Sequence, residues 1–358
     1  MTEENEMLLS AGAVEALLAW YGEHKRDLPW RRTADPYRIW ISEIMLQQTR
    51  VEAVKRYYTR FLEAFPTVQA LADAPEEQLL KLWEGLGYYS RARNLQKAAK
   101  VIVSDYGGEM PPDAAKLRKL PGIGDYTAGA VASIAFGLPE PAVDGNLLRV
   151  LSRVDACFDD ITGPAVKKKW SERLRSSIPQ EPERAATFTQ AMIELGATVC
   201  VPNGAARCGE CPLMPWCRAK REDLIDALPV KGEKKPRRIE DKTVLLIRDG
   251  ERTALHKRPD RGLLAGLYEL PNVPGHLDAD RVTELVRGYG FEPLRVRRVE
   301  DAKHIFTHIE WHMIAYDVRI AAEPEGEHVT SGLRLVGQRE LHERYAVPSA
   351  FSAYTKYL

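Results

Sequence analysis

The chain has 358 residues, more than one core usually holds, and its 51 Lys and Arg are matched by 51 Asp and Glu, a formal net charge of +0. Hydrophobic residues at 44% exclude a disordered chain, and no run of about 18 to 20 uncharged apolar residues is present to span a membrane. Neutrality argues mildly against a nucleic-acid partner, because DNA is bound largely through Lys and Arg.

In chain order, Met1-Thr2-Glu3-Glu4 is acidic and does not read as a secretory signal. Up to about residue 227 the spacing predicts helices joined by short loops. Ala13, Leu17, Leu18 and Tyr21 recur at helical spacing, as do Val51, Val54, Tyr58, Phe61 and Leu62. Between the helical run 113–119 and the small-residue helix 127–136 stands Leu120-Pro121-Gly122-Ile123-Gly124. Gly122 and Gly124 would permit a tight hairpin whose amides, beside a helix N-terminus, cradle a phosphate. The alternative is a corner packed by glycines alone. A backbone contact reads no base sequence, so it weakens the objection from neutrality.

Residues 228–241, with Lys231, Lys234, Lys235, Arg237 and Arg238, are basic and poor in apolar side chains, which predicts a linker. The period then changes to that of strands. Thr243–Arg248, the turn Asp249-Gly250 and Thr253–Lys257 predict a hairpin. A helix is predicted over Asp278–Gly288 and a strand over Trp311–Ile320. The expected architecture is a mainly α domain over residues 1–227 and an α+β domain over 242–358.

Two carboxylates occupy opposite settings. Glu43 lies in Trp40-Ile41-Ser42-Glu43-Ile44-Met45-Leu46, where burial would raise its pKa and suit it to hold a proton. Asp144 precedes the helical run 147–154 at an N-cap position, which favours a charged carboxylate. Such a pair suits an acid and an electrostatic stabiliser or nucleophile, as in glycoside cleavage. The plainer readings are a cap for Asp144, and for Glu43 a solvent-facing helix edge or a pairing with Arg50.

Of five cysteines, Cys157 stands alone and reads as a small buried hydrophobe. The others form Cys200-x7-Cys208-x2-Cys211-x5-Cys217. Four thiolates in a short loop suit zinc or a 4Fe-4S cluster, and the spacing is compressed compared with zinc ribbons.

Several stretches, in order, resemble the adenine DNA glycosylases of the MutY family, within the helix–hairpin–helix superfamily shared with endonuclease III. They are Leu28-Pro29-Trp30-Arg31, residues 42–52, residues 83–91, Leu120 to Ala130, Val143-Asp144-Gly145-Asn146, Glu194-Leu195-Gly196-Ala197 and the four cysteines. The resemblance implies a helix–hairpin–helix unit at about 113–136, one 4Fe-4S cluster in the loop 200–217 and a C-terminal Nudix-like domain. It implies that Glu43 protonates the departing adenine and later activates water, that Asp144 stabilises the oxocarbenium-like sugar, and that Tyr126 and Asn146 support that charge. Trp30, Arg31, Leu46 and Gln190 would line the pocket for a flipped adenine, because a base inside the duplex is shielded from chemistry. Gln48, Thr49, Leu86 and Tyr88 would face the opposing 8-oxoguanine, with Tyr88 as an intercalating wedge. The lesion-reading loop of the family matches Phe306, Thr307 and His308, with Thr307 where the family has Ser.

Other departures are informative. Endonuclease III-like lyases carry Lys where this chain has Tyr126, and a phenol cannot form a Schiff base. A monofunctional glycosylase is therefore expected. The C-terminal domain keeps Gly266 and Glu269 but lacks the Arg-Glu-x-x-Glu-Glu helix of Nudix hydrolases, so too few ligands remain for a hard cation. One extra residue lies between Cys200 and Cys208. The expected partner is duplex DNA containing A opposite 8-oxoguanine or G, bound by a bacterial, cytoplasmic monomer associated with the nucleoid. The rivals are an endonuclease III-like pyrimidine glycosylase-lyase and a non-catalytic iron–sulfur DNA-binding protein.

Overall fold

A computed structural model describes residues 8–202, 206–233, 236–322 and 329–358. The acidic start, part of the spacer between Cys200 and Cys208, and Lys234 and Lys235 lie outside the described residues. The chain divides into two compact units, residues 1–73 with 94–233, and residues 74–93 with 234–358.

The first unit is helical: α1 (Ala11–His24), α2 (Pro36–Leu46), α3 (Val51–Ala64) and α4 (Val68–Asp73). They are followed, beyond residues 74–93, by most of α6 (Ser90–Tyr106), whose predecessor α5 is Glu76–Leu82. Then come α7 (Ala114–Leu117), α8 (Asp125–Phe136), α9 (Gly145–Val154), α10 (Pro164–Arg175), α11 (Pro182–Thr198) and α12 (Arg218–Arg221). Local chemistry sets the helix starts. Ser10, Asp35, Asp113 and Asp144 each accept a hydrogen bond from an amide of the first turn, and Pro36, Pro164 and Pro182 open α2, α10 and α11. Leu17, Leu147, Leu151, Trp170, Phe188 and Leu195 form one buried cluster joining α1, α9, α10 and α11.

Two glycines permit close approaches. Gly122 has φ +76°, and a Cβ there would lie 2.6 Å from Asn94 Cβ. In α8 a Cβ on Gly129 would lie 2.1 Å from the Pro141 carbonyl oxygen, so the segment leading to Asp144 lies directly on this helix.

The second unit is built on a mixed sheet of β1 (Arg238–Arg248), β2 (Arg252–Lys257), β3 (Tyr268–Glu269), β4 (Asn272–Pro274), β5 (Pro293–Ile305), β6 (Ile309–Ile320), β7 (Val329–Thr330) and β8 (Leu333–Gly337). The order is β5-β6-β1-β2-β8-β7, with β3 on β2 and β4 on β1. β1 and β6 run parallel, from Arg238↔Ile309 to Arg248↔Arg319, and the other pairings are antiparallel. One face carries Leu246, Trp311, Met313, Phe351 and Tyr354, and the other packs Ile314, Tyr316 and Val318 against α13 (Ala279–Gly288). The hairpin, this helix and the strand through Trp311 form where the periodicity predicts them. β1 begins at Arg238, inside the segment read as linker, because its first residues pair with β6. Residues 74–93 group with this unit through Lys81 Nζ to Tyr345 O (2.9 Å), Arg344 to Glu77 (2.8 Å) and Val347 N to Glu84 Oε1 (2.8 Å).

Gly129→Ala is expected to cost about 1–3 kcal/mol, because a Cβ there must displace backbone. Gly22→Ala, in open space on α1, is expected to gain about 0.5–1 kcal/mol from helix propensity. Denaturant unfolding of both variants checks the pair, and an unchanged midpoint for Gly129→Ala contradicts the close approach.

Candidate active site

Every residue of α2 from Ile39 to Met45 is buried, Glu43 included, with 6% of its surface exposed. Burial pushes its carboxyl up to about 7; a hydrogen bond from Tyr126, at the head of α8, acts in the opposite direction. The Asp144 charge raises the value further and Arg31 lowers it. The same burial, with the charges of Glu43 and Asp144, holds the Tyr126 phenol well above its ordinary value.

Asp144 is the half-buried N-cap of α9 and accepts from Leu147 N through Oδ1 at 2.8 Å. Asn146 Nδ2 donates to Asp144 Oδ2 at 3.0 Å. Arg149 in turn donates to Asn146 Oδ1 (3.1 Å), Gly196 O (2.8 Å) and Cys200 O (2.8 Å).

Glu43, Tyr126, Asp144 and Asn146 line a cavity of about 200 Å³ in the first unit. A single water needs only about 10–15 Å³, so this space has room for a nucleobase. Trp30, Arg31, Leu46 and Gln190, the expected base-pocket residues, border the same cavity, and Thr49 does too. The Trp30 ring is held edge-on against Tyr58 at 5.5 Å. Gln48 is exposed, has φ +57° and is not among the lining residues. Gly122 and Gly124 lie in the turn before α8, with Gly124 at its N-cap and open space where a Cβ would stand.

Of the other residues expected to face the opposing base, Leu86, Tyr88, Phe306, Thr307 and His308 lie in the second unit. Tyr88 has 49% of its surface exposed and φ +47°. Its hydroxyl lies 3.1 Å from Thr307 Oγ1, and Thr307 and His308 are exposed. Leu86 is buried, and the half-buried Phe306 ring packs on Trp311 at 4.9 Å.

Cys200, Cys208, Cys211 and Cys217 border one cavity with Val150, Leu195, Val199 and Leu213. Burial pushes the Cys211 thiol up to about 12, and repulsion from the other three adds to it. Thiolates crowded around one cavity repel one another unless a cationic group sits among them. Arg153 Nη1 donates to Cys200 Sγ at 3.3 Å.

Sequence reasoning missed Arg149, Arg153 and Glu194. Each is a buried charge on a helix face that is otherwise apolar, and that contrast was the available signal.

A family model described as HhH-GPD superfamily base excision DNA repair protein matches residues 41–176, and a NUDIX domain model matches 243–357. A solved thermostable thymine-DNA glycosylase is 29% identical, with TM-score 0.51 over 58% of this chain and 95% of its own. Endonuclease III in a non-covalent DNA complex is 28% identical, with TM-score 0.50 over 59% of this chain and 94% of its own. Fold and site thus define a helix–hairpin–helix base-excision enzyme.

Adenine DNA glycosylase of Homo sapiens is 36% identical over 91% of this chain and 70% of its own length. The Mus musculus enzyme is 37% identical over 86% and 70%, and that of Buchnera aphidicola subsp. Baizongia pistaciae 33% over 82% and 82%. The chain belongs to the adenine DNA glycosylase family: it is an adenine-specific DNA N-glycosylase, a hydrolase of glycosidic bonds.

Because the folded state raises the Glu43 pKa, its contribution to stability is fully present below about 4.5 and is lost as pH rises through about 7. Glu43→Gln is therefore expected to be more stable than the parent at alkaline pH, by up to about 3 kcal/mol. Unfolding midpoints at acid and alkaline pH measure the difference, and an advantage that does not grow with pH contradicts it.

Proposed function

We propose that this enzyme excises adenine paired with 8-oxoguanine or guanine in duplex DNA, by hydrolysis and without a lyase step. The observation that carries the reading is one base-sized cavity bordered by a buried carboxyl held near 7 and by a second carboxyl capping a helix. Glu43 protonates adenine N7 as the base leaves and then assists the attacking water. Asp144 faces the positive charge developing on the sugar, with Asn146 and the Tyr126 hydroxyl fixing the geometry. Trp30, Arg31, Leu46 and Gln190 hold the flipped base. Tyr126 offers no amine to attack the sugar.

Within the second unit, the exposed pair Tyr88 and Thr307, with His308 next in the chain, reads the opposing 8-oxoguanine. The amides around Gly122 and Gly124 meet a phosphate. Glu269, the surviving Nudix carboxylate, is bound by Arg258 Nη1 at 2.8 and 2.9 Å, so the second unit recognises rather than hydrolyses.

Cys200, Cys208, Cys211 and Cys217 would hold a 4Fe-4S cluster that shapes the loop 200–217. The four thiols share one cavity. The compressed Cys208-x2-Cys211-x5-Cys217 spacing differs from the paired knuckles of zinc ribbons and favours the iron–sulfur cluster.

The test is a duplex with A opposite 8-oxoguanine. Alkali-dependent cleavage at the adenine is expected, with no borohydride-trapped adduct and with Asp144→Asn slower by at least about 100-fold. Prompt nicking without alkali, or full activity in Asp144→Asn, would sink the proposal. Iron analysis of the purified protein is expected to give about four irons per chain; a single zinc overturns the cluster assignment.

A further inference from the structure

Glu194 sits on α11 in the apolar run Ala191-Met192-Ile193-Glu194-Leu195, and its side chain is fully enclosed, with 0% exposure. Its Oε1 accepts from Arg26 N (3.0 Å) and Arg26 Nε (2.8 Å), and its Oε2 from Arg26 Nη2 (2.7 Å) and Arg31 Nη2 (2.6 Å). Arg31 Nη1 also donates to Arg26 O at 3.0 Å, and its guanidinium lies 5.4 Å from the centre of the Tyr21 ring. Arg26 and Arg31 line the same cavity as Glu43. A buried carboxylate with so many donors remains charged. Burial works against ionisation, yet the two arginines hold Glu194 down to about 2.

This arrangement creates a difficulty for an acid. An arginine beside Glu43 favours the ionised carboxylate, which has no proton to give. From the elements packed on α2, the groups facing Glu43 are Tyr126 of α8, Asp144 at the head of α9 and Arg31 of the turn Pro29–Arg31. The start of α3 brings Arg50 and Glu52, of which Glu52 acts on Arg26. Arg31 is thus the cation whose charge must be taken up elsewhere.

We propose that Glu194 is a positioning residue for the proton transfer: it ties down the Arg31 guanidinium and takes up its charge, so that Glu43 keeps its proton at neutral pH. The proposal rests on the reading of Glu43 as the acid. Loss of the Glu194 charge leaves Arg31 uncompensated and also frees it to swing towards Glu43. Both consequences favour the ionised acid.

The experiment is single-turnover adenine excision at saturating enzyme over about pH 5.5 to 9, using the full chain with its metal content unaltered. The rate of the parent is expected to fall as pH rises through the Glu43 midpoint. Glu194→Gln should move this alkaline limb down by about one pH unit, read as an about tenfold lower rate above both midpoints. Glu194→Asp should keep it near the parental position, and Arg31→Met should move it up. A uniform loss in Glu194→Gln with an unmoved limb overturns the proposal and leaves Glu194 a packing residue. If Glu194→Gln does not fold, Arg31→Met decides: a limb that stays or moves down is equally fatal. The acid reading is tested separately. If Glu43→Gln retains the parental rate, that reading fails and the proposal falls with it; if Glu43→Gln is inactive while the limbs do not move, only the proposal fails.

Discussion

A carboxyl buried with no ion-pair partner among the described residues is the constraint on which the remainder of the first unit depends. Taking a charged group out of water costs several kcal/mol, and the usual escape is to keep the proton. Glu43 takes that route because α2 is packed along its length, with Ile39, Trp40, Ile41, Ile44 and Met45 all buried around it. Its hydrogen bond is with a phenol that is itself reluctant to ionise. The surrounding core therefore keeps this carboxyl protonated near neutrality, and any loosening that admits water to α2 returns Glu43 towards an ordinary carboxylate.

The same unit handles its other carboxyls differently. Asp144 is placed by secondary structure, since the N-cap bond to Leu147 fixes it where the chain enters α9. The approach of Pro141 to Gly129 sets the height of that entry on α8. Behind it, Asn146 and Arg149 carry hydrogen bonds as far as the Cys200 carbonyl, so the cysteine loop and the cavity share one polar scaffold. Glu194 is compensated outright by two guanidiniums, both of which border the cavity that Glu43 lines. Three carboxyls within one helical unit thus meet three electrostatic fates, each decided by the partners that the packing supplies.

Much of this was legible in the sequence because it is local. The apolar run around Glu43, the cap position of Asp144 and the glycine turn before α8 each fall within about one or two helical turns, and the cysteines within one short stretch of chain. What could not be read depends on distant partners. Arg26 and Glu194 are separated by 168 positions, and nothing near either one announces the pairing. Residues 74–93 sit among helical segments in the sequence, yet group with the sheet unit through Lys81, Glu84 and Glu77 bonds that reach to residues 344–347. Leu86 is buried and Phe306 half-buried against Trp311, which position in a motif does not announce. The parallel pairing of β1 with β6 joins strands 71 positions apart, and alternation alone cannot choose such a register.

The central claim is that one carboxyl in the cavity of the first unit retains its proton near neutrality because of where it is buried. Carbon-13 NMR or infrared titration of the glutamate carboxyls, with Glu43→Gln to assign the signal, measures this directly. A midpoint near 7 for Glu43 is the predicted result, and titration near its ordinary 4.5 would contradict the account.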